Sequence, residues 1–272
     1  MSFFQRLNLA NGCLGALFSI CLFAPALAQP RGDDVARKLL PGCPKGSFVP
    51  LDQVFPQVQP AGLTGDGVDF WILDGSSKRI YHYNGGVNTI FRNEIQLSLA
   101  EPSGVAFDGK ALLVGDALTK RLYYIDAITG GKIRSIPSLS PLDRNSGVLK
   151  DVSWDGKSIW TAVASGFASS FNQIDPKDGR LIRSLHANCN PRGLTVRAGQ
   201  LWSLCYNGER LPDTIKLIRL ADRESETQRS ARPLGSLESP QAAGLLFDGR
   251  LLWTLEVSGP RCLAAGEAAD PK

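Results

Sequence analysis

Gly104-Val-Ala-Phe-Asp-Gly109 has four other copies along the chain: Gly62-Leu-Thr-Gly-Asp-Gly67, Asp151-Val-Ser-Trp-Asp-Gly156, Gly193-Leu-Thr-Val-Arg-Ala198 and Gly244-Leu-Leu-Phe-Asp-Gly249. Successive starts lie 42, 47, 42 and 51 residues apart. Nine positions after each start stand Trp71, Leu113, Trp160, Trp202 and Trp253, so four of the five tryptophans share one register position. A fixed period of this length marks a repeat architecture.

Each copy follows the same pattern. A short apolar strand ends at Asp-Gly, a dipeptide that tolerates the positive φ of tight hairpin turns. A second apolar strand follows, as in Asp69-Phe-Trp-Ile-Leu73 or Leu251-Leu-Trp-Thr-Leu255. A third strand alternates, as in Arg79-Ile-Tyr-His-Tyr83 and Arg121-Leu-Tyr-Tyr-Ile125. After a turn such as Asp126-Ala-Ile-Thr-Gly130 comes a fourth, as in Lys132-Ile-Arg-Ser-Ile136. Four strands per repeat predict an all-β fold, a five-bladed β-propeller of four-stranded antiparallel blades. No segment of ten or more residues has the 3.6-residue period of a helical repeat.

The last copy is short, with 28 residues after Gly244. The apolar positions Phe48, Val49, Leu51, Val54 and Phe55 precede the first copy. They predict an N-terminal strand that completes the last blade, closes the ring and removes an exposed sheet edge. The expected organisation is a signal peptide over 1–28, an N-terminal segment with the ring-closing strand over 29–60, the propeller over 61–263 and a flexible tail over 264–272.

The signal reading rests on Arg6, the apolar run Cys13–Phe23 and the small-x-small site Ala26-Leu27-Ala28. Cleavage leaves 244 residues, none in an apolar run of the ~20 needed to span a bilayer. A secreted or periplasmic protein is expected, with an uncleaved anchor as the alternative. Cys43, Cys189, Cys205 and Cys262 lie beyond the signal, an even number that suits two disulfides in an oxidising compartment. Cys43 precedes the closing strand and Cys262 follows the second strand of the last copy; this suggests one bridge. Cys189 and Cys205 fall at the same end of the fourth copy and suggest the other. Close Cys pairs of zinc-site type are absent from the sequence.

With 30 Lys+Arg against 26 Asp+Glu, the net charge is +4, too small a basic excess for a nucleic-acid partner. Charged residues make up 21% and hydrophobic ones 43%, an ordinary globular balance.

The run Pro102–Gly109, then Leu112-Leu-Val-Gly-Asp116, Leu122-Tyr-Tyr-Ile-Asp126 and Thr129-Gly-Gly-Lys-Ile133 resembles the YVTN-type bacterial propeller repeat. It is also similar to the blades of streptogramin lyase, gluconolactonase-type and glutaminyl-cyclotransferase propellers. The resemblance covers roughly residues 60–258 and implies fold far more than activity. The cyclotransferases carry Gln-Gly-Leu or Glu-Gly-Leu at the start of the first blade, where this chain has Ala61-Gly62-Leu63. Their Asn-rich motif in the third blade is replaced by Lys150-Asp-Val-Ser-Trp154. Gluconolactonase-type enzymes hold a divalent cation through Glu, Asn and Asp. Streptogramin lyase uses histidines and a metal, whereas this chain has only His82 and His186. His82 lies in an alternating strand and reads as a strand-face residue.

Loops at the channel mouth are the expected working face. Twelve positions after the repeat starts stand Asp74, Asp116, Val163, Cys205 and Glu256. In a closed ring Glu256, Asp74 and Asp116 fall on consecutive blades and form an acidic arc, opposite Lys150 and Arg192 from the third and fourth blades. Such a site suits a polarised ligand: oxygen ligands for a cation on one side, bases for an anionic group on the other. The competing reading has the acids capping their own turns, as Asp74-Gly-Ser-Ser77 suggests. Irregular insertions at Leu142–Gly147, Gly166–Phe171, His186–Asn190 and Tyr206–Arg210 add Asp143, Arg144, His186 and Tyr206 to the expected ligand-binding set. His186 beside Asp143 is the one arrangement open to a Ser-His-Asp triad. The leading expectation is an exported binding module for a small molecule, a peptide or an envelope protein, with no cofactor beyond a divalent cation at the mouth. The alternatives are an enzyme of lactonase, lyase or cyclotransferase type on the same face, and a structural assembly module.

Overall fold

The computed structural model describes residues 47–50, 59–84, 90–138, 147–165, 169–187, 189–197, 199–206, 214–220, 228–230, 242–247, 251–256 and 262–267. All belong to one compact unit, Arg37–Lys272. Every regular element among them is a strand. No helix among them is long and apolar enough to cross a membrane.

The first strand is β1 (Ser47–Pro50). The first repeat forms β2 (Pro60–Gly65), β3 (Asp69–Asp74), β4 (Arg79–Asn84) and β5 (Ile90–Gln96). The second forms β6 (Pro102–Phe107), β7 (Ala111–Asp116), β8 (Arg121–Asp126) and β9 (Lys132–Pro137). The third forms β10 (Val148–Trp154), β11 (Ile159–Ala164), β12 (Ser169–Ile174) and β13 (Leu181–Ala187). The fourth forms β14 (Asn190–Arg197), β15 (Gln200–Tyr206), β16 (Thr214–Arg219) and β17 (Gln228–Ser230). The last supplies β18 (Ala242–Phe247), β19 (Leu251–Glu256) and β20 (Cys262–Glu267). Each of the first four sets is a four-stranded antiparallel sheet in chain order. The last sheet runs β18-β19-β20-β1, with β1 antiparallel to β20 through Val49↔Leu263 and Pro50↔Cys262.

The strands between Asp-Gly turns form because the turns fix their ends. At Asp66, Asp108 and Asp155 the side chain accepts two backbone N–H bonds from the residues two and three ahead. The following Gly67, Gly109 and Gly156 take φ of 93°, 93° and 95°, the region where a side chain is disfavoured.

Apolar faces then join sheet to sheet. Five buried clusters lie among the described residues, and each draws on two sheets. Trp71 sits in the cluster between the first and second sheets, and Leu113 in that between the second and third. Trp160 and Trp202 occupy the next two, and Trp253 packs with Leu63, Phe70 and Ile72 of the first sheet. The shared register position is therefore inter-sheet core, as the repeat predicts. Trp160 and Trp202 are 0% and 1% exposed; truncating a buried Trp costs about 3–5 kcal/mol.

The first strands of the five sheets touch in sequence: β2 with β6, β6 with β10, β10 with β14, β14 with β18, and β18 with β2. Glycine permits this approach. A Cβ at Gly62 would lie 2.8 Å from the Val105 nitrogen, and one at Gly244 would lie 2.9 Å from the Leu63 Cβ. These strands are sheet edges, so half of their N–H groups need partners outside their own sheet. Hydroxyls of the preceding sheet supply three of them. Thr64 Oγ1 accepts from the Phe107 N–H at 3.1 Å, Ser153 Oγ from Val196 at 3.0 Å and Thr195 Oγ1 from Phe247 at 3.1 Å.

Three sequence expectations are corrected. The segment 264–272 is not all tail: β20 runs to Glu267. Ala264-Ala-Gly266 carries no alternation, and the strand is set by pairing with β19 on one side and β1 on the other. His186 and Ala187 are not in a loop but end β13, where Ser170↔His186 and Ser169↔Ala187 pair. Ser169–Phe171 opens β12 instead of an insertion, because Phe171, 1% exposed, is a core residue.

Candidate functional site

Near the ends of their second strands all five sheets share one pairing register. Asp74 pairs with Pro60, Asp116 with Pro102, Val163 with Leu149, Cys205 with Pro191 and Glu256 with Ala242. Just beyond these pairs every inner strand departs from regular pairing. The extra residue is Ala61 in the first sheet, Lys150 in the third and Arg192 in the fourth. A bulge interrupts the alternation of faces and re-aims the side chain it carries. Lys150 and Arg192 are thus equivalent bulge residues of neighbouring sheets, and both are half-buried.

Arg192 lies with its guanidinium carbon 3.7 Å from the centre of the Tyr206 ring. Tyr206 is the last residue of β15, paired with Asn190. The Cys189–Cys205 disulfide, with Cα atoms 5.6 Å apart, ties the two strand ends beside this stack. Closing a loop with a sequence separation of 16 is worth about 3 kcal/mol in the chain-entropy account. Neither Lys150 nor Arg192 has a carboxylate within ion-pair distance among the described residues.

The acids behave differently. Asp74 Oδ1 accepts from the Gln59 N–H at 3.2 Å, the Ser76 N–H at 2.9 Å and the Ser76 hydroxyl at 2.8 Å, and Oδ2 from the Ser77 hydroxyl at 2.7 Å. Asp116 Oδ2 accepts from the Ala100 N–H at 2.7 Å, and Oδ1 from Leu118 and Thr119 at 3.1 and 2.9 Å. Both side chains are buried. Burial pushes each carboxyl up, but the hydrogen bonds outweigh it: those from Ser77, Ser76 and Gln59 at Asp74, and those from Thr119, Ala100 and Glu101 at Asp116. Both carboxyls end below the usual aspartate value. Both carboxylates cap their own turns and also hold the segment that leads into the inner strand, through the Gln59 N–H at Asp74 and the Ala100 N–H at Asp116.

Of the remaining expected residues, Glu256 closes β19 at the shared register, and His186 is exposed on β13. Asp143 and Arg144 lie outside the described residues, as does Cys43. His82 is held within its sheet: Nε2 is 3.0 Å from Asp69 Oδ2, Nδ1 is 3.0 Å from Asn93 Oδ1, and the ring stacks on Trp71 at 4.7 Å. Among the described residues no group of three His, Cys, Asp or Glu is placed to hold a metal ion.

Two features escaped the sequence reading. A cavity of about 250 Å3 lies toward the Asp-Gly end of the inner strands and is lined from all five, Thr64, Phe107, Trp154, Thr195 and Phe247 among them. The hydroxyls two residues after three of the repeat starts were its only signal. The second is Asp151, 0% exposed, standing where the other four repeats have glycine. Burial pushes its carboxyl well above the usual range, against the pull of the Val152, Leu194 and Val105 N–H groups.

No protein-family model matches the chain, and no curated protein does. Solved structures do. The crystal structure of Myxococcus xanthus glutaminyl cyclase superposes with a TM-score of 0.56 at 13% identity, over 84% of this chain and 94% of that one. A chain of the nidogen/laminin complex superposes with a TM-score of 0.53 at 16% identity, over 74% of this chain and 73% of that one. Both neighbours are β-propeller-type proteins, and at these identities the likeness extends to fold alone. The chain is an all-β protein of β-propeller type.

Proposed function

We propose that the five sheets are the blades of a closed five-bladed propeller, and that the protein is exported and works as a binding module at the channel mouth. Its ligand, a small molecule, a peptide or an envelope protein, docks through an anionic group held by Lys150 and Arg192. Closure is supported by the β1–β20 pairing and by the contact of β18 with β2. Export to a secreted or periplasmic location is supported by the apolar N-terminal run, the Ala26-Leu-Ala28 site and the Cys189–Cys205 bridge.

The observation that carries the binding reading is the Arg192–Tyr206 stack beside that bridge, with Lys150 at the matching bulge of the next sheet. A guanidinium lying over an aromatic ring is pre-oriented, and its N–H fork suits a carboxylate or phosphate. Asp74 and Asp116, engaged by their turns, weigh against an acidic arc that grips a cation.

The test is a thermal titration of the protein with N-acetyl-triglutamate, citrate and inorganic phosphate at low ionic strength, beside the Lys150→Ala/Arg192→Ala double variant. At a hundred times its dissociation constant a ligand stabilises by about 2.7 kcal/mol, and each kcal/mol moves the midpoint by roughly 2–4 °C at this size. At least one anion is expected to raise the native midpoint and leave the double variant unmoved. Equal responses of the two proteins, or none, would contradict the reading. A rise with calcium, magnesium or zinc that EDTA reverses would favour the metal-dependent enzyme instead.

A further inference from the structure

The third residue of the repeat is Thr64, Ser153 and Thr195 in the first, third and fourth copies, and the fourth residue is Phe107, Trp154 and Phe247 in the second, third and fifth. All six line the cavity of about 250 Å3 at the Asp-Gly end of the inner strands. Each hydroxyl accepts a backbone N–H of the next sheet, from Phe107, Val196 and Phe247 in turn. Each therefore keeps its own proton to donate, and none of the three donates it to another described residue. The Trp154 indole N–H likewise has no acceptor among the described residues. The three aromatic side chains are half-buried. Asp155 and Arg197 bring one carboxylate and one guanidinium to the same wall. The Asp155 oxygens accept from the Lys157 and Ser158 N–H groups and from the Trp160 indole. Arg197 and the lining Gly156 are exposed, so the cavity opens to solvent at this end.

We propose that this cavity is a second binding site, for a small uncharged ring compound that bears a carbonyl oxygen. Hydroxyl and indole protons without acceptors are the complement of a ligand that accepts and does not donate. Aromatic walls suit a flat apolar body. The one carboxylate and the one guanidinium leave the lining without net charge, so an ion gains nothing from it. A cavity of about 150 Å3 holds benzene, and this one has room for a benzene ring with a substituent. A carbonyl oxygen that takes the place of water here retains the hydrogen bonds, while the ring removes apolar surface from solvent. The site lies at the other end of the inner strands from Lys150 and Arg192. It rests on the arrangement of the five inner strands and owes nothing to the reading of the mouth.

The test uses two probes of one shape, titrated with protein and followed by fluorine NMR. One is 4-fluoroacetophenone; the other is 4-fluoro-α-methylstyrene, which has a CH2 group where the ketone has oxygen. The ketone is expected to bind the native protein saturably and the Lys150→Ala/Arg192→Ala double variant equally well. In Thr64→Val/Thr195→Val its affinity should fall about tenfold, the loss of two hydrogen bonds, while that of the alkene changes by less than about twofold. Absence of saturable ketone binding, or the same change for both probes, would overturn the proposal. Loss of ketone binding in the Lys150→Ala/Arg192→Ala variant would put the ligand at the mouth and overturn it as well. The two valines also remove acceptors for the Phe107 and Phe247 N–H groups. Should that variant fail to fold, the carbonyl carbon-13 resonance of the ketone bound to the native protein decides. A hydrogen-bonded carbonyl keeps a resonance near its position in water. An upfield move to the position found in an aprotic solvent would overturn the site.

Discussion

Asp74 illustrates how one side chain can satisfy a sequence pattern in two ways. Its register position put it in an arc around the mouth, and its neighbours Ser76 and Ser77 put it in a turn; the hydrogen bonds follow the neighbours. Local donors win because they reach the carboxylate without any further ordering of the chain. Asp74→Ala leaves the Gln59 and Ser76 N–H groups without this acceptor, and a loss on the order of 2–3 kcal/mol is expected in urea denaturation. The pH dependence has a definite sign. Folding lowers the carboxyls of Asp74 and Asp116, so their contribution is complete above the unfolded aspartate value and lost as pH falls through the folded values. Denaturation midpoints measured from about pH 6 down to about pH 2 should fall on acidification, and less steeply for Asp74→Asn than for the native protein. Burial raises Asp151, which acts in the opposite sense: its contribution is complete below the unfolded value and lost as pH rises through the folded one. Lys150 and Arg192 were legible by counting residues from each repeat start. Asp151 was not, because a shared repeat position draws attention to the glycines and hides what the one exception does.

At the scale of the element, turns and bulges set the strands, and most of this was readable. Asp-Gly pairs announced the hairpins, and the structure puts Gly67, Gly109 and Gly156 at positive φ there. The tail was misread because strand β20 is imposed by its neighbours and carries little signal of its own. Two glycines with similar φ separate the local cost of a substitution from the cost of close packing. Gly67, at φ 93°, has nothing within 4 Å of where an alanine methyl would stand, whereas Gly104, at φ 88°, faces the Asp151 backbone. Gly67→Ala should cost about 1–2 kcal/mol, the conformational penalty alone. Gly104→Ala adds a clash that only a shift of β6 from β10 relieves, so its loss in the same denaturation assay should be at least twice as large. Equal losses would mean that the two inner strands are not pressed together as described.

For the molecule as a whole, the repeat made the fold legible. Trp71, Leu113, Trp160, Trp202 and Trp253 each fall in a different inter-sheet cluster, and this follows from one register position copied five times. The working face was less legible, because loops differ from copy to copy while the scaffold beneath them does not. Everything proposed for the mouth presumes that the sheets close on themselves, with the N-terminal strand completing the last one. The most direct test is peptide mapping of the exported, non-reduced protein by mass spectrometry. Closure predicts a Cys43–Cys262 cross-linked peptide beside Cys189–Cys205, with Gln29 at the new N-terminus. Free thiols at Cys43 and Cys262, or either of them bridged to Cys189 or Cys205, would contradict the closed ring.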